Sequence, residues 1–212
     1  MKNQSQKSIG AEVMYNKKTK AHNTSPLLWV DLETTGTDFE EDSIIEIGAI
    51  LTTYDLNIIS EFEIIIKPTS ESYKQMMLNS VVSEMHTVNG LINDLANTDT
   101  TQDQATQEML LWIKSAMLEY GGENYEGKFV LSGSGVGHLD RGFIKSKMPD
   151  LDSLLRYWHV DIGVVRRAHD MWVGTEVTSI NDAKTHRAID DIRCHLQEAG
   201  AFRDLWTLDT NC

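Results

Sequence analysis

The feature that most constrains this chain is residues 27–36, Leu-Leu-Trp-Val-Asp-Leu-Glu-Thr-Thr-Gly. This apolar run, with Asp31 and Glu33 near its end and a glycine after it, is typical of a buried β-strand followed by a turn. Residues two apart in a strand point to the same face, so the two carboxylates point to one place. Burying two like charges side by side is costly unless a cation lies between them. The run therefore predicts a metal site whose hard oxygen ligands favour Mg²⁺ or Mn²⁺ over zinc.

The composition indicates an acidic globular protein. A length of 212 residues with 41% hydrophobic content suits one domain with its own core. The net charge is −13, whereas proteins that grip long nucleic acids usually present a broad basic surface. A nucleic-acid substrate would therefore be short, or metal ions would supply the local positive charge. From composition alone, the better-supported interpretation is simply a soluble acidic protein with no nucleic-acid substrate.

The sequence also predicts where the protein works. It contains no apolar run of about 18 residues, the length that a transmembrane helix requires, so we expect no membrane association. The N-terminus lacks the apolar region of a secretory signal. The two cysteines, Cys194 and Cys212, match neither a metal-ligand spacing nor a disulfide framework. A reducing, cytoplasmic compartment is the expected location.

The pattern of apolar residues predicts an α/β fold. Residues 1–25 are polar and aperiodic, which indicates a flexible N-terminal extension. The short connection at residues 54–57 predicts a hairpin. The predicted strands are 27–33, 43–53, 58–67 and 128–132. The predicted helices lie within 73–120 and at 139–147, 161–173 and 185–199. This order predicts a mixed central sheet flanked by helices.

Two further segments bring acidic residues to the starts of helices. Asp140 follows the glycine-rich residues 133–137, although an acid at a helix start can simply favour the helix dipole. His186 lies near the start of the last helix, where a lone histidine is usually structural or solvated. Helix geometry pairs His186 with Asp190, four residues on, while Asp191 lies on the other flank of the apolar stripe. Both acids miss the core, so either can reach a site.

Four acids on separate elements together with one histidine indicate a two-metal hydrolase. Two divalent ions about 3.5–4 Å apart can clamp the attacking and leaving oxygens of a phosphoryl displacement. A histidine with a pKa of about 6.5 can accept the proton of the attacking water at neutral pH. Taken singly, each group has a simpler interpretation, such as a salt-bridged pair for Asp31 and Glu33.

Three segments together resemble the motifs of the DEDDh 3′→5′ exonucleases, most closely the oligoribonucleases. They are residues 31–36, residues 137–140 and residues 186–191. Residues 43–47, 85–91 and 147–151 are also similar to oligoribonucleases at similar spacings. The resemblance covers about Leu27 to Trp206, and it implies a ribonuclease H-like fold with a single exonuclease domain at residues 26–208.

The resemblance also implies roles for individual residues. It implies that Asp31, Glu33, Asp140 and Asp191 bind two Mg²⁺ or Mn²⁺ ions. It implies that His186 is the general base, and it selects Asp191 over Asp190. This choice conflicts with the helical pairing of His186 and Asp190. The conflict is resolved if His186 lies in a loop just before the regular helix begins. It further implies a homodimer, and substrate contacts from Leu32, Thr34, Thr35, Gly36 and His86.

Several positions depart from the oligoribonuclease pattern while the catalytic set stays whole. They are Thr37, Val81, Gly142, Trp158 and Gly163. These departures affect the residues that hold the substrate, so the sequence does not predict a strict preference for dinucleotides. Tyr157, Trp158 or His159 could stack on a base, although an aromatic cluster more often belongs to a core.

The sequence predicts a metal-dependent 3′→5′ exonuclease that hydrolyses short single-stranded oligonucleotides, with RNA favoured, to nucleoside 5′-monophosphates. One alternative is a general or proofreading-like exonuclease on single-stranded DNA. Another is a catalytically inactive nucleic-acid-binding module, which the intact set of four acids and a histidine argues against.

Overall fold

The computed structural model describes residues 25–121, 127–174 and 185–208. The five strands are β1 (Leu27–Thr34), β2 (Ile44–Thr52), β3 (Ile58–Ile65), β4 (Phe129–Gly133) and β5 (Leu155–Asp161). The helices are α1 (Ser70–Leu78), α2 (Ser80–Val88), α3 (Leu91–Leu95), α4 (Gln102–Gly121), α5 (Asp140–Lys147), α6 (Pro149–Ser153), α7 (Ile162–Val173) and α8 (Ala188–Leu208). The predicted N-terminal extension lies outside these residues, except for Ser25.

The five strands form one mixed sheet in the order β3-β2-β1-β4-β5. β1 pairs antiparallel with β2 and parallel with β4, and β2 and β3 form the predicted hairpin. β1 is thus the central strand. Every residue of β2 is buried, which fits its nearly continuous apolar sequence. The predicted α/β architecture with a mixed sheet is confirmed.

Alternate residues of β1 pack against different layers of helices. Leu28, Val30 and Leu32 belong to the main core, which is shared with α4 and α5. Trp29 belongs to a second core on the other face, together with Ile192 and Phe202 of α8. Because Asp31 and Glu33 share the face of Trp29, the strand directs both carboxylates toward α8.

The structure differs from the sequence prediction in four elements, one of which is α6, a short helix that begins at Pro149 and was not predicted. β5 was not predicted, because Arg-Tyr-Trp-His in its middle breaks the apolar alternation expected of a strand. The helical stretch at 73–120 is four helices that asparagine, threonine and glycine residues separate. The last helix continues through Gly200 to Leu208, because Phe202 packs in the second core and favours helix beyond the glycine. Among the described residues, no helix has the length and apolar character needed to cross a bilayer.

Gly48 lets the start of α8 lie directly on the sheet. Gly48 is in the middle of β2 and pairs with Asp31 of β1. A Cβ built on Gly48 would lie 2.7 Å from the carbonyl carbon of Ala188 and 2.7 Å from the backbone nitrogen of Ile189. These neighbours are backbone atoms, so they cannot move aside as a flexible side chain can. The close approach brings the first turn of α8 to the acidic end of β1.

Gly48→Ala is expected to lower the free energy of unfolding by about 1–3 kcal/mol, because the added methyl group overpacks the contact between β2 and α8. Gly200→Ala is the matched control. It lies inside α8, where an added Cβ would have nothing within 4 Å, and it should raise stability by about 0.5–1 kcal/mol through helix propensity. Urea denaturation measures both variants, and equal stabilities would show that α8 does not depend on this contact.

Candidate metal centre

Three separate elements bring acidic side chains to one end of β1. Asp31 and Glu33 come from β1, Asp140 begins α5, and Asp191 lies in the first turn of α8. Glu33, Asp140 and Asp191 are buried, and Asp31 is half-buried. Asp140 is tied to β1, since its Oδ1 accepts a hydrogen bond of 3.0 Å from the Leu32 backbone nitrogen. The four predicted metal ligands therefore lie together.

Glu33 shows how unfavourable this arrangement is without a cation. Burial raises the pKa of Glu33 from 4.5 to about 9, and the neighbouring charges of Asp31, Glu46, Asp191 and Asp140 contribute to that rise in this order of effect. A carboxyl group that holds a proton at neutral pH cannot be a charged ligand by itself. A divalent cation would favour its ionised form and offset the repulsion.

The donor set fits a hard divalent metal. Glu33, His186 and Asp191 each offer a ligand atom, and these atoms all lie within 4.8 Å of one another. Together with Asp31 and Asp140, the site is dominated by carboxylate oxygens, which suit Mg²⁺ or Mn²⁺. His186 is the exposed member of the group of three, while Glu33 and Asp191 are buried.

The predicted loop position of His186 is confirmed. Regular helix begins at Ala188, and His186 has a φ of 52°, in the left-handed region that few residues other than glycine adopt. Thr185 contacts Asp191 through its backbone nitrogen, 3.2 Å from Asp191 Oδ1. Asp190 instead forms a 3.0 Å ion pair with Arg193. The loop allows His186 to approach Asp191, which straight helix geometry does not.

The turn after β1 is fixed by internal contacts. The Thr35 hydroxyl donates to Asp42 and accepts from the Ser43 backbone nitrogen, both at 3.0 Å. A Cβ on Gly36 would lie 2.3 Å from Asp42 Oδ2, so a larger residue there would displace the carboxylate that Thr35 contacts. Thr34 donates to the Gly36 carbonyl at 2.6 Å. Thr35 and Gly36 thus shape the turn.

His86 joins α2 to the acidic site, while Leu32 reaches it only through its backbone. The His86 ring is fully buried, with Nε2 3.1 Å from the Thr34 carbonyl oxygen and Nδ1 4.0 Å from Glu33 Oε2. Burial lowers the pKa of His86, which favours the neutral form of its ring. The Leu32 side chain belongs to the main core.

The structure adds two residues to the site that were not predicted from the sequence, Glu46 and Arg187. Glu46 is fully buried in β2 and pairs with Glu33 across the sheet. Arg187 Nε lies 3.0 Å from Glu46 Oε1. A lone acidic residue inside the apolar run at residues 44–51 was the available signal, because such a residue needs a buried partner.

Comparisons with known proteins agree with this geometry. Residues 28–199 match the exonuclease family described as RNase_T. The oligoribonuclease of Streptomyces griseus is 33% identical over 181 residues, covering 84% of this chain and 85% of that protein. The oligoribonuclease of Wigglesworthia glossinidia brevipalpis is 32% identical over 183 residues, covering 86% of this chain and 93% of that protein.

Solved structures share the fold. The zinc-bound complex of E. coli ExoI with single-stranded DNA has a TM-score of 0.56 and 15% identity, covering 84% of this chain. Exonuclease I from Methylocaldum szegediense has a TM-score of 0.58 and 15% identity, covering 85% of this chain. This chain spans 40% of each of these longer proteins. The likeness confirms the predicted ribonuclease H-like fold.

Glu33→Gln is expected to stabilise the metal-free protein. The pKa of Glu33 is raised from 4.5 to about 9, so between these values the folded chain holds a proton that the unfolded chain has lost. Stability therefore falls as the pH rises through this window. The variant lacks this cost and should gain roughly 1–3 kcal/mol near neutral pH. Urea denaturation in EDTA measures the gain, and added Mn²⁺ should stabilise the wild type far more than the variant.

Glu198→Gln is the matched control for this prediction. Glu198 is also buried, but Arg166 Nη1 lies 3.0 and 3.1 Å from its two carboxylate oxygens. Removing its charge should destabilise the protein by roughly 1–3 kcal/mol, because the arginine loses its charged partner. A Glu33→Gln variant that also loses stability in EDTA would contradict the charge repulsion inferred at the metal centre.

Proposed function

Because this chain belongs to the exonuclease family, we propose that it is a metal-dependent 3′→5′ exonuclease. It hydrolyses short single-stranded oligonucleotides, with RNA favoured, to nucleoside 5′-monophosphates. The observation that carries the proposal is the meeting of Asp31, Glu33, Asp140 and Asp191, where burial, followed by the charges of the neighbouring acids, raises the pKa of Glu33. Holding these buried like charges together is unfavourable unless bound cations offset their repulsion. The similarity to oligoribonucleases supports the short substrate and the preference for RNA.

The four carboxylates would hold two divalent ions, Mg²⁺ or Mn²⁺. When bound, these ions supply the positive charge that stabilises the attacking and leaving oxygens in an in-line displacement. His186 is the proposed general base, because its exposed ring can accept a proton from the attacking water and release it to solvent. An alternative role for His186 is that of a metal ligand, since its ring lies within reach of the same point as Glu33 and Asp191.

The terminal nucleotide would lie against the end of β1 and the adjoining α2. The proposed contact residues are Leu32, Thr34, Thr35, Gly36 and His86, of which Thr35 and His86 are buried and would act by holding the turn after β1 in place. Leu32 can contribute through its backbone, because its side chain is in the core. The net charge of −13 supports short substrates, since a long strand would meet an acidic surface beyond the metal centre. The exonuclease domain is proposed to span residues 26–208.

A second copy of the chain is the proposed partner. In the sheet of described residues, β5 is an edge strand, and its Tyr157 is 93% exposed. The neighbouring α7 exposes Val164, Met171 and Trp172. An open strand edge beside exposed apolar side chains is typical of an interface. These features and the resemblance to oligoribonucleases support a homodimer. A cytoplasmic location is also proposed, on the cysteine usage of the sequence.

The function is tested with labelled substrates of graded length. RNA and DNA strands of two to about 20 nucleotides, the range that separates short from groove-tracking substrates, carry a 5′ label and are incubated with Mg²⁺, with Mn²⁺ or with EDTA. The proposal expects stepwise shortening from the 3′ end, faster on short RNA, and none in EDTA. Equal or faster digestion of long DNA would favour the general DNA exonuclease. Binding without cleavage would favour the inactive module.

Asp191→Asn is expected to lower the cleavage rate by about 100-fold or more, because it removes a charged metal ligand. Asp190→Asn is the matched control, since the adjacent Asp190 pairs with Arg193 and its side chain is 48% exposed. It should change the rate by no more than about threefold, as surface substitutions contribute little. Asp31→Asn and Asp140→Asn should behave like Asp191→Asn. The reverse ranking of the two neighbours would mean that Asp190 is the ligand.

Met171→Glu is expected to convert a dimer to a monomer, because a charged side chain would be buried in the proposed interface. Light scattering coupled to size-exclusion chromatography measures the mass in solution. Leu111→Glu, at a 63% exposed position of α4 away from β5, is the control and should leave the dimer intact. A monomeric wild type would contradict the proposed partner.

A further inference from the structure

Arg187 is the centre of an ion-pair network beside the metal centre. Its Nε lies 3.0 Å from Glu46 Oε1 on β2, and its Nη1 lies 2.7 Å from Asp94 Oδ2 on α3. Its Nη2 lies 3.8 Å from Glu63 Oε1 on β3. The other oxygen of Glu46 accepts a 3.4 Å hydrogen bond from the backbone nitrogen of Ala188. The guanidinium therefore joins three elements to the first residue of α8.

This network acts on the His186 segment, which we define as residues 185–187. Arg187 is the immediate neighbour of His186, and the Asn89 side chain at the end of α2 donates a hydrogen bond to the His186 carbonyl oxygen. The left-handed backbone of His186 is sparsely populated for a residue with a side chain and persists only where its surroundings enforce it. The ion pairs of Arg187 and the bond from Asn89 enforce it together with the contact of Thr185 to Asp191.

A fixed arginine suits this task. Its planar guanidinium binds two carboxylates in set directions, and burial of Glu46 strengthens the pairing because water cannot compete. Glu46 belongs to β2, in which every residue is buried. The segment that carries His186 is thus attached to a strand inside the core of the protein.

We propose that Arg187 is a positioning residue for His186. It holds the imidazole in place through Glu46 and Asp94, without itself contacting the substrate or the metal. The inference rests on the proposed exonuclease function, in which His186 is the base. The competing role for an arginine beside a nuclease site is to bind a substrate phosphate. That role is disfavoured, because Glu46, Asp94 and Glu63 already surround the guanidinium with negative charge.

The test is a double-mutant cycle of Arg187→Gln and His186→Asn, measured with a dinucleotide under steady-state conditions. Asparagine is chosen at position 186 because it tolerates left-handed backbone. Arg187→Gln alone should lower kcat by about 10- to 100-fold, the cost of a misplaced catalytic group, with KM unchanged. In the His186→Asn background it should lower kcat by less than about twofold, because a residue that acts through His186 has nothing left to position. Mn²⁺ affinity should be unchanged throughout.

Arg193→Gln is the matched control. Arg193 also lies on α8 and also pairs with two acids, Glu61 and Asp190, but it does not contact the His186 segment. Its removal should leave kcat as in the wild type. Asp94→Asn is a second variant that retains the fold, since Asp94 is partly exposed and lies on a peripheral helix. It should lower kcat in the same direction as Arg187→Gln but by less, and Arg187→Lys should restore part of the loss.

A readout independent of turnover completes the test. The His186 ring signal in a ¹H–¹³C NMR spectrum, assigned by its loss in His186→Asn, should shift or broaden in Arg187→Gln and stay unchanged in Arg193→Gln. An unchanged ring signal would overturn the proposal whether or not the wild type cleaves oligonucleotides. A wild type that cleaves no oligonucleotide would by itself count only against the proposed function. Equal losses of kcat in both backgrounds would also overturn it. A raised KM would assign Arg187 to phosphate binding, and weakened Mn²⁺ binding would assign it to Asp191.

Discussion

The repulsion among buried carboxylates at the end of β1 is the constraint on which the rest of this structure depends. Glu33 lies among Asp31, Glu46, Asp191 and Asp140, and burial together with their charges raises its pKa to about 9. Such a group stays together only if the surrounding structure is stable enough to hold it. The central position of β1, the fully buried β2 and the two cores on either face of the sheet provide that stability.

Each site residue reaches the metal centre through a different kind of contact with the sheet. Asp31 and Glu33 are placed by strand alternation alone. Asp140 is fixed by its hydrogen bond to the backbone of Leu32. Asp191 depends on the approach of α8 to Gly48, where an added side chain would clash with the backbone of the helix. A different local change can therefore displace each ligand, while the mutual charges of the carboxylates couple the effects of such changes.

Local rules of sequence account for much of the fold and for part of the site. The spacing of Asp31 and Glu33 was sufficient to place both on one face, and the short connection after β2 was sufficient to predict the hairpin. Helical periodicity could not choose between Asp190 and Asp191, because His186 lies outside the regular helix and its left-handed backbone leaves no pattern in the sequence. β5 was missed because its pairing with β4 defines it as a strand, while its own residues show no apolar alternation. The partners of Arg187 lie far away in the chain, at Glu46 and Asp94, and only the tertiary structure brings them together.

Two of the positions that depart from the oligoribonuclease pattern lie outside the buried acids, and one of them, Val81, borders the same cavity as His186. Val81 is 74% exposed on α2, and Trp158 borders an apolar groove of about 400 Å³ at the far end of β1. Exchanges at exposed positions usually change stability by less than about 0.5 kcal/mol, whereas a change to one buried acid alters the repulsion that acts on Glu33. The surface that grips an oligonucleotide can therefore be altered at Val81 while the buried carboxylates stay as they are.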